Sequence, residues 1–308
     1  MNVFVTGATG FVGREVVAEL GRQGHRAYCL VRNPKSSSAR QLANQGHVRL
    51  FEGDLVAEPN LASSLAGCDA VIHLVGIIAE AGRNTFQRAH VEATRTVVEA
   101  ARSARVNRYL HMSALGTRPD AVSTYHRTKW AAEEIVRSSG LAWTILRPSL
   151  IHGPADDFVN RFARMSAYAP FLPVIGPGTF LLQPVSVRAV ARCFVAALTC
   201  ERAVGQVYEL CGDERLTLVQ VLDVILQAAG RRRLKLHLPV RWALALAGLM
   251  AYVWPRWFHR APPLNRDQVL MLQEHNVGDP EPARRLFGLE PEQFTRDVRE
   301  YVGPCISS

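Results

Sequence analysis

The 308 residues, 48% of them apolar, are enough to bury one large core or two smaller ones, and they exclude a disordered chain. A formal charge of +9 would suit a phosphorylated ligand, anionic lipid or nucleic acid; the basic residues are scattered apart from Arg231, Arg232 and Arg233, with no aromatic interleaving or zinc-finger spacing, which argues against nucleic acid. The six cysteines form no C-x-x-C pair and a strand begins almost at Met1, so the expectation is a cytoplasmic protein without a secretory signal or a metal, with peripheral attachment to the inner face of a membrane as the variant.

In chain order, NVFVT is followed by the helical stretch FVGREVVAELGRQ, RAYCLV by SSSARQLANQ, and VRLFEG by a turn and helix up to Leu65. DAVIHLV then precedes a long helix near Phe86 to Ser103, RYLHMS precedes a helix around Tyr125 to Ser138, and WTILR follows. This alternation predicts right-handed βαβ crossovers and an α/β fold, a doubly wound parallel sheet of the Rossmann type covered on both faces. Beyond Pro148 the texture changes to Pro- and Gly-rich stretches such as YAPFLPVIGPG. The expected division is a dinucleotide-binding domain over 1–150 and a smaller α/β substrate or partner domain over 151–308, some of whose segments pack back on the sheet.

The first strand runs directly into GATGFVG, with Gly7, Gly10 and Gly13 three residues apart, and then into a helix. Such a turn lets the backbone approach a pyrophosphate while the helix N-terminus offers it free N–H groups, so a dinucleotide is expected. A P-loop is excluded because Gly13 is followed by Arg14 and Glu15 rather than Lys and Ser or Thr. The second strand ends in CLVRNPK, where NAD-binding sites usually carry an acid for the ribose hydroxyls. Arg32 stands there instead, with Arg14 and Lys35 to add positive charge, which favours NADP(H) over NAD(H); the alternative is a solvated loop charge. Asp54, in FEGDL, either reaches the adenine edge or caps the next helix.

The fifth strand ends in HMSALG, placing Ser113 at the carboxyl edge of the sheet, where open α/β sheets bind ligands. In STYHRTKWAAEE, Tyr125 and Lys129 lie four apart on one helical face. A phenol beside an ammonium and a positively charged nicotinamide would be drawn toward the phenolate, and Ser113 would hold and polarise a substrate oxygen. The plainer alternative makes Tyr125 a half-buried helix residue, Lys129 a surface charge and Ser113 a turn former.

TGATGFVG, GDL, HMSALG, YHRTK and ILRPSLIHGP, in that order, resemble the short-chain dehydrogenase/reductase superfamily in its extended or atypical branch. The resemblance implies that Gly7, Gly10 and Gly13 approach the pyrophosphate, with Thr9, Phe11 and Val12 in the same turn. It places Arg32 at the 2′-phosphate, Asp54 and Leu55 at the adenine, Val75 and Gly76 along the cofactor cleft, and Pro148 and Ser149 beside the nicotinamide. Ser113, Tyr125 and Lys129 fall on the catalytic triad, Lys129 also touching the cofactor. SALG, LAWTILRPSLIHGPADDF, LLQPVSVRAVA and PLNRDQVLML are similar to the dinucleotide-binding accessory subunits of respiratory complex I and their free-standing bacterial relatives. One departure is Arg188, in VSVRAVA, where the extended family commonly carries an acid. The implied function is an NADP(H)-binding oxidoreductase with an unknown small-molecule substrate, linked to respiratory-chain or quinone metabolism. The alternatives are a non-catalytic accessory or assembly subunit of a membrane complex, and a nucleotide-sugar epimerase or dehydratase.

The segment from Pro239 to Arg260 is apolar from Trp242 to Trp254 and contains Pro255, which is expected to interrupt its helix. It is too short to span a bilayer, which needs about 20 apolar residues. Apolar residues all round favour a buried helix; Trp242, Tyr252, Trp254 and Trp257 among Arg241, Arg256, His259 and Arg260 suit a membrane or partner surface.

Overall fold

The computed structural model describes residues 1–56, 61–258 and 262–303. The N-terminal half runs β1 (Asn2–Thr6), α1 (Phe11–Arg22), β2 (Arg26–Val31), α2 (Ser37–Ala43), β3 (Val48–Glu52), β4 (Ala70–His73), α3 (Ala93–Ser103), β5 (Arg108–Met112), α4 (Thr124–Arg137) and β6 (Ala142–Pro148). A single 3-10 turn at Ala62–Leu65 ends the connection into β4, and a π-helical turn at Gln87–Glu92 opens α3. Then come β7 (Ile151–His152), α5 (Phe158–Tyr168), β8 (Phe171–Ile175), β9 (Leu181–Leu182), β10 (Val185–Ser186), α6 (Val187–Thr199), β11 (Gln206–Leu210), β12 (Leu216–Thr217), α7 (Leu218–Ala228), β13 (Leu234–Leu238), α8 (Val240–Phe258), α9 (Arg266–Met271), α10 (Glu281–Phe287) and α11 (Phe294–Val302).

Seven strands form one parallel sheet in the order β11-β6-β5-β4-β1-β2-β3. Its inner strands, such as β1 and β4, are buried on both faces, so they read as apolar runs, and alternate residues feed two layers. Val3 and Val5 of β1 pack with α1 and α6 residues such as Val16, Val190 and Phe194, while Phe4 packs with Val97 of α3 and Val136 of α4. The sheet takes its seventh strand, β11, and the helix α6 from beyond residue 150, so part of the C-terminal half returns to the Rossmann layer. β1 lies between β2 and β4, where the strand order reverses, and the crevice above the carboxyl ends of β1 and β4 is the usual ligand position of such sheets.

The rest of the C-terminal half has a core of its own, in which α5, α7 and α11 bury Val159, Leu222, Ile225 and Val298 against β8. β13 pairs in parallel with β8 and leads through Pro239 into α8. Contrary to the expected interruption, α8 continues past position 255; the proline withdraws one N–H near the end of the ladder without stopping it. Nor is α8 buried all round: Ala243 and Ala247 face Ile175 and Val269, whereas Trp242, Leu246, Leu249 and Trp257 are exposed. His259 and Arg260 lie outside the described residues.

Candidate functional site

Above β1 the chain turns at Gly7 with φ +75°, a left-handed conformation that suits glycine, and the Gly10 N–H donates to the Gly7 carbonyl at 3.0 Å. A methyl group at Gly7 would lie 3.1 Å from the Leu74 carbonyl carbon, at the end of β4. At Gly13 it would lie 2.7 Å from the Ala8 Cα and well inside contact with the Gly7 oxygen, so α1 can approach its own strand only with glycine there. Gly10 caps α1 without a side-chain bond, and the first turn carries no acid. The free N–H groups of Phe11, Val12 and Gly13, with the positive end of the helix dipole, fit a pyrophosphate. Thr9 and Phe11 are half-buried at this turn, and the Phe11 ring is the near neighbour of Gly153.

Arg32 follows the last residue of β2 directly and is exposed, as is Lys35, while Arg14 is half-buried in the first turn of α1. The loop that carries Arg32 and Lys35, between β2 and α2, has no acidic residue. Asp54 accepts the Val56 N–H at 2.9 Å, a local turn that engages one carboxylate oxygen, and Leu55 beside it is buried. Val75 packs half-buried against the lower apolar layer, and Gly76 lies open beside Lys129: a methyl at Gly76 would be 3.0 Å from its Nζ. Pro148 is buried, its carbonyl accepting the Leu115 N–H at 2.9 Å; Ser149 donates its hydroxyl to the Gln183 carbonyl and its N–H to Leu210 at 3.0 Å.

Ser113, buried just past β5, donates its hydroxyl to Thr117 at 3.3 Å. Lys129, only 2% exposed, donates to the carbonyl of neighbouring Met112 at 3.0 Å, and this bond draws the start of the Ser113 loop toward α4. Tyr125 stands one turn earlier, its ring edge-on to His90 at 5.3 Å, to His126 at 5.2 Å and to Phe86 at 5.9 Å. Lys129 is thus brought to the residue before Ser113, while Tyr125 lies one turn earlier on the same helix, packed on His90. The electrostatics differ from the expected phenolate: burial pushes the Tyr125 phenol up to about 12 and the Lys129 amine down to about 8, partly offset by Glu133. The expectation counted the charge of Lys129 but not the loss of water around both groups.

Four contributors were not among the residues expected from the sequence. His90 fixes Tyr125 from the π-helical turn, a feature that re-aims side chains by adding one residue to the helical repeat; it also bonds Thr128 at 2.9 Å and the Ile77 backbone. His126 caps back to Ser123. Glu133, fully buried a further turn along the Tyr125 and Lys129 face, is held by Arg147 at 2.7 Å and Arg137 at 2.5 Å. Asp267 of α9 accepts the Tyr125 N–H at 3.1 Å, and Arg118 pairs with Glu274, so the α9 segment closes over the start of α4. Their 125, 129, 133 spacing was a readable hint for Glu133; the others depend on chain crossings.

The chain matches the NAD(P)H-binding family profile over residues 7–200. Over 282 residues it is 31% identical to "NADH dehydrogenase [ubiquinone] 1 alpha subcomplex subunit 9, mitochondrial" of Arabidopsis thaliana, covering 89% of this chain and 68% of that one. It is also 31% identical over 223 residues to the ceramide reductase of Caulobacter vibrioides, covering 72% of this chain and 64% of the relative. To a 4-hydroxy-2-methyl-3-oxo-4-farnesyl-3,4-dihydroquinoline-1-oxide ketoreductase of Stigmatella aurantiaca it is 29% identical, covering 99% and 97%. The chain thus spans about two thirds of the first two and nearly all of the third. Among solved structures, the UDP-glucuronic acid 4-epimerase of Bacillus cereus, in complex with UDP-glucuronic acid and NAD, superposes with a TM-score of 0.75 at 18% identity over 98% of this chain and 99% of that one, a likeness of fold alone. A Rossmann sheet in the order 3-2-1-4-5-6, a glycine turn that fits a pyrophosphate and the profile match lead to one assignment: the chain belongs to the NAD(P)H-binding family and has the fold of the short-chain dehydrogenases/reductases.

Proposed function

We propose that the protein is an NADP(H)-dependent ketoreductase, with Ser113, Tyr125 and Lys129 as its catalytic residues. The observation that carries this reading is that Lys129 is tied to the Met112 carbonyl, with Ser113 next in the chain and Tyr125 one helical turn before Lys129, over His90. When bound, the dinucleotide would supply a hydride, two electrons together with one hydrogen, to the carbonyl carbon. Ser113 donates a hydrogen bond to the carbonyl oxygen and polarises it. Tyr125, whose burial keeps its proton on at neutral pH, delivers that proton to the same oxygen as the alcohol forms. Lys129 holds positive charge beside the phenol and limits the penalty of losing the proton. The ketoreductase of Stigmatella aurantiaca, matched over nearly its whole length, supports the reaction class, and its name and that of the ceramide reductase support a lipophilic substrate.

The preference for NADP(H) rests on Arg32 at the end of β2. Native mass spectrometry of the purified protein would identify the retained nucleotide, and titration calorimetry should give tighter binding of NADPH than NADH, with Arg32→Asp narrowing the gap at least tenfold. Equal affinities in the native protein, unmoved by the substitution, would remove the preference.

The similarity to the complex I subunit favours a second reading, in which the nucleotide stabilises an accessory protein of a membrane complex. Turnover on candidate ketones and quinones separates the two: a Tyr125→Phe variant that restores a deletion strain as fully as the native protein supports the accessory role.

A further inference from the structure

We infer that α8, with the preceding strand β13, is an interfacial docking surface for anionic lipid, independent of what the dinucleotide crevice does. Most of the large apolar side chains exposed among the described residues lie in this corner. Tyr168, Phe171, Leu234 and Leu236 are exposed on α5, β8 and β13, and Trp242, Leu246, Leu249 and Trp257 follow on α8. β13 and β8 pair with Leu234 opposite Phe171, so these two exposed side chains are neighbours across the strands.

On α8 the exposed positions 242, 246, 249, 253 and 257 recur every three or four residues, which places them in one stripe about 22 Å long. The helix is held to the protein by its other side, where Ala243 and Ala247 have small side chains that let it lie close against Ile175 and Val269. Trp242 is 60% and Trp257 77% exposed, one near each end of the stripe. Tryptophan at both ends with leucine and valine between is the pattern of a helix lying in the headgroup boundary rather than crossing the bilayer. Consistently, no helix among the described residues is long and apolar enough to cross a membrane.

Charge selects the occupant. Between Asp223 and Asp267 the sequence has no Asp or Glu, while it has eight Lys or Arg. Not all of these are available: Lys235 pairs with Asp223 at 2.5 Å, and Arg231 and Arg233 bond Ser166 of α5. Arg232, shortly before β13, and Arg241, in the first turn of α8, are however exposed. A protein partner would have to supply a complementary acidic and apolar surface of one particular shape. An anionic leaflet supplies both properties without shape, attracting each nearby Lys or Arg and accepting the tryptophans at headgroup depth.

Co-sedimentation of the full-length protein with vesicles tests this. Binding is expected to vesicles of equal parts phosphatidylcholine and phosphatidylglycerol, to weaken steeply with added salt, and to be at least tenfold weaker to phosphatidylcholine alone. Trp242→Glu with Trp257→Glu, and separately Arg232→Glu with Arg241→Glu, should each weaken it at least tenfold while circular dichroism and dinucleotide affinity stay unchanged. Brominated lipid should quench the tryptophan fluorescence of the native protein, which needs no variant to fold. Absence of binding to the anionic vesicles at low salt, absence of quenching, or a folded tryptophan variant that binds as before overturns the inference. So does sedimentation equilibrium showing that this face closes a dimer which the tryptophan variant dissolves.

Discussion

α4 and α8 both set aromatic side chains beside cations, yet they face opposite ways. α4 is rich in charged residues and turns His126, Lys129 and Glu133 inward, where they are buried together. α8 is rich in apolar residues and turns Trp242, Leu249 and Trp257 outward. Composition alone would assign the two helices the reverse burial. The difference lies in what each can do on its buried side. On α4 the inward charged groups find specific partners, Met112 for Lys129 and Arg137 and Arg147 for Glu133, and His126 bonds Ser123 through Nδ1 while its buried Nε2 has no hydrogen-bond partner among the described residues. The fully buried groups of α8 are Ala243 and Ala247, joined by the half-buried Val240 and Leu244; they need only close contact, and most of the large side chains remain on the outer face.

The largest expected effect strikes the buried side of α4. Removing one oxygen with Tyr125→Phe should lower kcat on the order of 10^2 to 10^4-fold while dinucleotide affinity changes less than twofold, because proton delivery contributes in the transition state. Steady-state kinetics together with calorimetry check this, and a variant with near-native kcat would break the contrast at its functional end.

Glu133→Ala comes next. Arg147 would lose its carboxylate and Arg137 one of its two, Glu134 remaining, and breaking such a pair costs about 3 kcal/mol. Urea unfolding should show that loss; less than about 1 kcal/mol would mean that Arg137 and Arg147 find water or the Trp130 ring as a sufficient substitute.

Acid sensitivity sharpens the same comparison. His73 is fully buried between Thr6 and Thr94, and burial holds it down at about 3, with Lys129 adding repulsion. The folded protein therefore keeps His73 neutral where the unfolded chain, titrating near 6.5, takes up a proton. Its contribution to stability is full above pH 6.5 and declines as the pH falls toward 3, by about 1.4 kcal/mol per pH unit. Thermal melts across that window should slope less in His73→Asn than in the native protein, and identical slopes would sink the assignment. The smallest change is expected on the other helix: Leu249→Glu should alter unfolding free energy by no more than about 0.5 kcal/mol, since its side chain is 61% exposed. A loss of several kcal/mol there would show that α8 supports the fold from both sides.

Much of the crevice was legible because its signals are local. Gly7, Gly10 and Gly13 occupy one turn, and Tyr125 and Lys129 one helical face, so spacing alone brings each set together. Arg32 was legible as the residue that follows a strand. His90 was not, since nothing in QRAHVE announces the π-helical turn that aims it at Tyr125. Asp267 was not either, because it reaches the Tyr125 N–H across 142 residues of chain.

By itself the sequence determined the order of strands and helices up to Pro148, the glycine turn and the shared helical face of Tyr125 and Lys129, because hydrophobic periodicity and steric limits act over a few residues. Only the tertiary structure decided that β11 and α6 return to the sheet, that burial raises Tyr125 and lowers Lys129, and that α8 shows its tryptophans to the outside. Each of those depends on which distant segments exclude water from a side chain, and an apolar residue carries the same letter whether its neighbours cover it or leave it bare.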